Sequence, residues 1–162
     1  MSGEDLHMRR AIDFAERGRH QVMPNPLVGC VLVRDGQIVA EGWHDHVGGL
    51  HAEQMAIADA ESRGVATQGT TAYVTLEPCN HFGRTPPCTE SLLWAGVERV
   101  VIGALDPNPT VRGDGAVALR EAASVLLQQQ VVWYCPCCCS AHKRKVWLGV
   151  KTMFLSERKA SY

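Results

Sequence analysis

The sequence predicts an α/β fold, a three-layer α/β/α sandwich with a mixed central sheet. Segments whose apolar residues recur at helical spacing alternate with short β-branched segments, and glycine or proline separates most of them. The size of the chain is consistent with this fold, because 162 residues with 46% hydrophobic content suffice for one domain with a continuous core. We therefore expect helices on both faces of one sheet.

The first predicted elements are a helix and a β-hairpin. Apolar residues recur at helical spacing over residues 5–17. Residues 28–33 are rich in valine and predict a strand. The pair Asp35-Gly36 is typical of a tight hairpin turn, so residues 38–43 are predicted to return as the second strand.

Helices and strands alternate through the rest of the chain. The predicted elements are a helix from 51 to near 64, a strand at 71–76, a helix at 88–95, a strand at 97–105 and a helix at 115–124. Pro86-Pro87 is typical of a helix start, and Gly96 of a helix end. This alternation is the reason for expecting helices between the later strands.

Charge and hydropathy argue against several classes of partner. The formal net charge is −1, so no excess of lysine and arginine could neutralise a nucleic-acid backbone. No apolar run approaches the roughly 18 residues of a membrane span. The N-terminus also lacks the basic-then-apolar layout of a secretion signal. We expect a cytoplasmic protein with no nucleic-acid or membrane partner.

One histidine and two cysteines form a candidate metal site. His51 lies at the predicted start of one helix, and Cys79 and Cys88 flank the loop that leads into the next. Imidazole and thiolate are zinc ligands, and a helix N-terminus favours the thiolate. Three protein ligands leave the fourth tetrahedral position for water, as in catalytic zinc sites. We expect Zn²⁺ as the cofactor, held by His51, Cys79 and Cys88.

Glu53 is the candidate proton carrier. One imidazole and two thiolates balance the zinc charge, so a nearby proton acceptor matters more here than in an all-histidine site. A carboxylate two residues after the ligand can take a proton from water and pass it to a ring nitrogen and to leaving ammonia. His-x-Glu with a later Pro-Cys is typical of zinc-dependent nucleobase deaminases. The predicted chemistry replaces C–NH₂ by C=O.

The motifs around these residues resemble one family in particular. Eight residues separate the two cysteines, where the general deaminase signature has two. The matching motifs are Pro24-Asn25-Pro26, Gly42-Trp43-His44, His51-Ala52-Glu53, Asp106-Pro107-Asn108-Pro109 and, most specifically, Gly83-Arg84-Thr85-Pro86-Pro87-Cys88. From about residue 6 to about residue 122 the chain is similar to the deaminase domain of the bifunctional riboflavin-biosynthesis deaminase/reductase family.

The resemblance implies a cytidine-deaminase-like fold and a specific reaction. The family deaminates 2,5-diamino-6-(5-phosphoribosylamino)pyrimidin-4(3H)-one to 5-amino-6-(5-phosphoribosylamino)uracil, so the partner is a phosphoribosylated pyrimidine. His51, Cys79 and Cys88 match the zinc ligands and Glu53 the acid/base. The residues that match the substrate pocket are Asn25, His44, His81 and Arg84.

The resemblance also suggests an organisation for the chain. We expect a deaminase domain at residues 1–125 and an atypical C-terminal strand and tail at 126–162. We expect no reductase domain, and hence a separate reductase, and we expect self-association into a homo-oligomer. The tail contains Cys135, three consecutive cysteines at 137–139 and His142, but neighbouring residues of an extended chain point in opposite directions, which suits one tetrahedral metal poorly.

Two other hypotheses of function stay open. One is another deaminase of the same superfamily, acting on cytosine, guanine or tRNA adenosine, because the chemistry would be identical and only the pocket would differ. The other is a catalytically silent remnant that binds a partner or serves as a scaffold, because the C-terminal segment departs from the family pattern.

Overall fold

Five strands form one mixed sheet, and four α-helices cover its two faces. The structure is a computed structural model that describes residues 3–83, 85–108, 113–126 and 130–133. The helices are α1 (Gly3–Ala15), α2 (Ala52–Ser62), α3 (Cys88–Trp94) and α4 (Asp114–Leu126), and a 3-10 turn, Glu16–Gly18, extends α1. The strands are β1 (Gly29–Arg34), β2 (Gln37–Trp43), β3 (Thr71–Val74), β4 (Arg99–Ile102) and β5 (Gln130–Trp133). The predicted fold class is confirmed.

The strand order is β2-β1-β3-β4-β5. β1 pairs antiparallel with both β2 and β3, whereas β3, β4 and β5 run parallel to one another. The predicted hairpin turn is present, with positive φ at Asp35 (51°) and Gly36 (74°). Because β3 and β4 are parallel, the segments that follow them leave the sheet at the same edge. The metal-site cysteine Cys79 lies at this edge.

β3 is shorter than the predicted strand at 71–76. At its end the backbone N–H of Gly29 donates to the Thr75 side-chain hydroxyl at 3.1 Å, so a side chain replaces a backbone acceptor there. The chain then turns out of the sheet towards Cys79. The β-branched pattern of the sequence includes Thr75, but it does not show that the Thr75 hydroxyl replaces a backbone carbonyl as the hydrogen-bond acceptor.

The core has a layer on each side of the sheet. α2, α3 and α4 cover one face, where Cys30, Leu32 and Val74 are fully buried. Cys30 is 0% exposed, as expected for a small buried hydrophobe. α1 covers the other face, where Met8 packs with Tyr73. These two layers hold the sheet edge, and thus the site, in a fixed position.

Two glycines allow the helices to contact the hairpin backbone. A Cβ on Gly42 would lie 2.3 Å from the Ala56 nitrogen in α2, and a Cβ on Gly29 would lie 2.0 Å from the Ala11 oxygen in α1. Neither position can accept a side chain without moving backbone. The contact at Gly42 matters for the site because it positions α2, whose first turn carries the candidate residues.

Among the described residues, none of the helices combines the length and the apolar character that a bilayer span requires.

Candidate metal centre and active site

Two helix starts and one strand end bring three metal-binding side chains together. His51 is the N-cap residue of α2, Cys88 is the first residue of α3, and Cys79 follows β3. The Nδ1 atom of His51 lies 3.3 Å from the Cys88 sulfur and 3.5 Å from the Cys79 sulfur. All three donor atoms lie within 4.8 Å of one another. Residues distant in sequence therefore converge on one point.

The donor spacing fits zinc. With zinc about 2.3 Å from sulfur and about 2.0–2.1 Å from nitrogen, a tetrahedral site places a sulfur and a nitrogen about 3.6 Å apart. The two observed nitrogen–sulfur distances, 3.3 and 3.5 Å, are close to this value. Thiolate and imidazole are the donors that zinc prefers. The three side chains could therefore hold a zinc ion with one position open.

Cys79 is prepared to act as a thiolate ligand. Hydrogen bonds from the Cys88 thiol and from His51 lower the pKa of Cys79 to about 4, although burial opposes the shift. The backbone N–H of Cys88, at the start of α3, also donates to the Cys79 sulfur at 3.4 Å. The hydrogen bond with Cys79 in turn raises the pKa of His51. Negative charge is therefore favoured on the sulfur that a metal would bind.

Glu53 is buried beside the candidate ligands. It lies in the first turn of α2 and is 3% exposed. Burial raises its pKa to about 7, and the Cys88 thiol is among the groups that interact with its carboxylate. A carboxyl group with a pKa near neutrality can both accept and donate a proton. The structure thus places the predicted proton carrier next to the metal-binding group.

The predicted substrate residues line a cleft over this group. The cleft has a volume of about 160 Å³, and Asn25, His44 and His81 line it together with His51 and Cys79. Arg84, the fourth predicted substrate residue, lies outside the described residues, as do the cysteines at 135–139 and His142. A larger depression of about 310 Å³ lies near Tyr73, away from these residues. In the described part of the chain only His51, Cys79 and Cys88 form a group that could hold a metal, so the smaller cleft is the candidate active site.

His44 is fully engaged and orients Asn25. The His44 Nδ1 lies 3.0 Å from the Leu50 carbonyl oxygen, which can only accept, so Nδ1 carries the proton. The Nε2 atom then accepts from the Asn25 Nδ2 at 3.1 Å. This arrangement fixes the Asn25 amide with its nitrogen towards His44 and its oxygen away from it. The His44 ring also packs edge-on against His51, with ring centroids 5.6 Å apart.

Comparison with known proteins identifies the family. A family model described as the cytidine and deoxycytidylate deaminase zinc-binding region matches residues 1–104. The chain belongs to this deaminase family. The zinc cofactor expected from the sequence agrees with both the family and the donor set.

Individual relatives indicate which deaminases the chain is similar to. The chain is 50% identical over 116 residues to a diaminohydroxyphosphoribosylamino-pyrimidine deaminase from Buchnera aphidicola, covering 72% of this chain and 77% of that protein. It is 53% identical over 116 residues to a riboflavin biosynthesis protein RibD from Actinobacillus pleuropneumoniae, covering 72% of this chain and 30% of that protein. The chain therefore spans about a third of the length of the first curated relatives it matches.

A solved structure shows the same fold. A diaminohydroxyphosphoribosylaminopyrimidine deaminase/5-amino-6-(5-phosphoribosylamino)uracil reductase from Thermotoga maritima matches with a TM-score of 0.74 and 45% identity, covering 81% of this chain and 36% of that one. The match confirms the predicted resemblance to the deaminase domain of the riboflavin-biosynthesis family.

Two residues that hold segments next to the candidate site were not predicted. Gln54 hydrogen-bonds to segments that carry two of the candidate ligands. Glu77 is 5% exposed and accepts backbone hydrogen bonds from Asp106 (3.2 Å), Gly113 (2.9 Å) and Ala116 (3.1 Å). The available signals were local: Gln54 occupies the third position after a helix cap, and Glu77 is a charged residue directly after the predicted strand at 71–76.

Proposed function

We propose that this chain catalyses the hydrolytic deamination of 2,5-diamino-6-(5-phosphoribosylamino)pyrimidin-4(3H)-one to 5-amino-6-(5-phosphoribosylamino)uracil, a step of riboflavin biosynthesis. The observation that carries the proposal is the convergence of His51, Cys79 and Cys88 beside the buried Glu53. The choice of substrate is supported by the 50% identity to a relative named for this deamination. The reaction consumes one water, releases one ammonia and converts C–NH₂ to C=O.

The residues divide the chemistry between metal binding and proton transfer. His51, Cys79 and Cys88 would hold the zinc, which when bound supplies the Lewis acidity that allows water to lose a proton near neutral pH. Glu53 accepts that proton because its carboxylate lies beside the ligands. It donates this proton to the ring nitrogen, then accepts the second proton from the hydroxyl group added to the ring carbon and donates it to the amine, which departs as ammonia while C=O forms. Burial of Glu53 keeps bulk water away from the proton it carries.

The cleft residues orient the pyrimidine. We assign Asn25 to direct contact with the ring edge, because an amide offers both a donor and an acceptor. His44 acts through Asn25, since both of its ring nitrogens already have partners. His81 lines the mouth of the cleft. Arg84 is assigned to substrate binding on the family resemblance alone.

The test is ammonia release by the purified, zinc-loaded protein. The phosphoribosylated diaminopyrimidine is offered beside cytidine, deoxycytidylate, guanine and tRNA, and we expect ammonia from the first compound in clear preference. A preference for a nucleoside, nucleotide or tRNA would assign the chain to another activity of the superfamily. Metal-loaded protein that releases ammonia from none of them would favour the binding or scaffold hypothesis.

The proposal extends to organisation and partners. We propose that residues 1–125 form the deaminase domain and residues 126–162 an atypical C-terminal strand and tail; β5 falls in this second segment. We further propose a homo-oligomer, a cytoplasmic location and a separate reductase that consumes the uracil product. Light scattering of the purified chain tests self-association, and a single-chain mass at micromolar concentration would contradict it.

A further inference from the structure

The side chain of Gln54 joins the segments that carry two of the three candidate ligands. Its Oε1 accepts from the His51 backbone N–H at 3.2 Å, and its Nε2 donates to the Pro86 carbonyl at 3.0 Å. The same Nε2 donates to the Ser91 hydroxyl in α3 at 3.3 Å. His51 is itself a candidate ligand, and Pro86 lies two residues before Cys88. One amide therefore links the start of α2 to the loop and helix that hold Cys88.

These partners require an amide. The His51 N–H needs an acceptor and the Pro86 carbonyl needs a donor, and an amide offers both on one planar group. A glutamate would still cap α2, because its carboxylate can accept from the His51 N–H. Its second oxygen would, however, face the Pro86 carbonyl with no proton between them. Exchanging glutamine for glutamate thus separates helix capping from the link to α3.

We propose that Gln54 is a positioning residue for the metal centre, which fixes the separation between His51 and Cys88 before zinc binds. The donors come from separate segments, so each segment that is not held in advance must be ordered at the expense of affinity. The His51–Cys88 distance of 3.3 Å, already near that of a tetrahedral site, is what such a link would maintain. The proposal rests on the proposed zinc site but not on the proposed substrate.

The experiment measures zinc affinity of the full chain by competition with a chromogenic chelator. The variants are Gln54→Glu, which keeps the cap and loses the link, and Gln54→Met, which loses both. Gln37→Glu is the matched control, because Gln37 is exposed at the hairpin and the change adds the same charge. We expect both Gln54 variants to bind zinc about 10- to 100-fold more weakly and the control to bind normally. We also expect Co²⁺-loaded Gln54→Glu to show an altered absorption spectrum, since that spectrum reports ligand geometry.

Normal zinc affinity in Gln54→Glu together with weak binding in Gln54→Met would mean that capping alone matters, and would overturn the proposal. Normal affinity in both variants would overturn it as well.

The unfolding midpoint of the metal-free Gln54→Glu protein should stay close to that of the wild type; a lower midpoint with unchanged zinc affinity would identify a merely structural role. If Gln54→Glu does not fold, normal zinc affinity in Gln54→Met would by itself overturn the proposal. Ammonia release is not used, so failure of the substrate assignment and failure of this proposal are distinguishable.

Discussion

Glu53 and His51 share one helical turn but have different tasks. His51 offers its ring nitrogen to the two sulfurs, whereas Glu53 is buried as a carboxyl group beside them. The two tasks can be separated by mutation, because a change in the proton carrier leaves the three donor atoms in place.

For Glu53→Gln we expect zinc to be retained and the rate of ammonia release to fall by roughly 10²- to 10⁴-fold, the usual contribution of a positioned acid/base. The amide occupies nearly the same volume but cannot accept and return a proton. Metal content and turnover are measured on the same preparation. Glu61→Gln serves as the control, because Glu61 is exposed on the same helix and should tolerate the change. Equal turnover in Glu53→Gln and wild type would refute the assignment.

Glu77 stabilises the start of α4 through its carboxylate. Its two oxygens accept from three backbone N–H groups, of which those of Asp106 and Gly113 share Oε2 and that of Ala116 meets Oε1. For Glu77→Ala we expect a loss of about 2–4 kcal/mol in the free energy of unfolding, because the three backbone N–H groups lose a charged acceptor. Denaturant unfolding measures this loss. The exposed Glu98→Ala variant should change little, and a similar small effect for Glu77→Ala would contradict the role.

At the scale of elements, the contact between α2 and the hairpin determines where the site lies. For Gly42→Ala we expect lower stability, by about 2 kcal/mol or more, because the new methyl group would meet the Ala56 nitrogen at 2.3 Å and the Ala52 oxygen at 2.4 Å. Zinc affinity should fall with it, since the start of α2 must move. Thermal unfolding and chelator competition measure the two effects.

Gly3→Ala is the matched change for this test, because a Cβ at Gly3 meets nothing within 4 Å. We expect both its unfolding temperature and its zinc affinity to be close to those of the wild type. A Gly42→Ala protein that behaves like Gly3→Ala would show that α2 can shift without consequence for the metal site.

The elements that the sequence could predict are those specified by local chemistry. Asp35 and Gly36 adopt the positive φ that the turn requires, and the hairpin follows from these two residues. The starts of α2 and α3 were predicted to within one residue. The sheet order was not predicted, because β1 pairs with β3 across some forty residues and no local pattern records that partner.

The same limit applies to the site. His51, Glu53, Cys79 and Cys88 could be singled out because their side-chain chemistry is rare and specific. Asn25 and His44 could be named from the family resemblance, but not their mutual hydrogen bond. Glu77 was missed because its partners lie 29 to 39 residues further along the chain. Gln54 was missed because its partners Pro86 and Ser91 lie 32 and 37 residues further along. Only the folded chain brings these groups together.

For the whole molecule, a bound metal would add stability that the chain alone lacks. A ligand that binds only the folded state stabilises it by about 2.7 kcal/mol when its concentration is about 100 times its Kd. We therefore expect a chelator to lower the unfolding temperature and added zinc to restore it. Scanning calorimetry with and without chelator measures the shift. The same chelator should leave the unfolding temperature of a Cys88→Ser variant much less affected, and an equal shift in both would contradict the site.

The separation between His51 and Cys88 has a consequence for how the molecule comes apart. These two residues are 37 positions apart, and β3 lies between them in the chain, at the centre of the sheet. A zinc ion bound by both residues would close this stretch of the chain into a loop that contains the central strand. When the central strand leaves the sheet, the segments that carry the donor atoms separate, so escape of the ion and collapse of the sheet should follow one rate constant. Stopped-flow absorbance of a zinc indicator and far-ultraviolet circular dichroism, recorded in the same denaturant jump, should give that single rate.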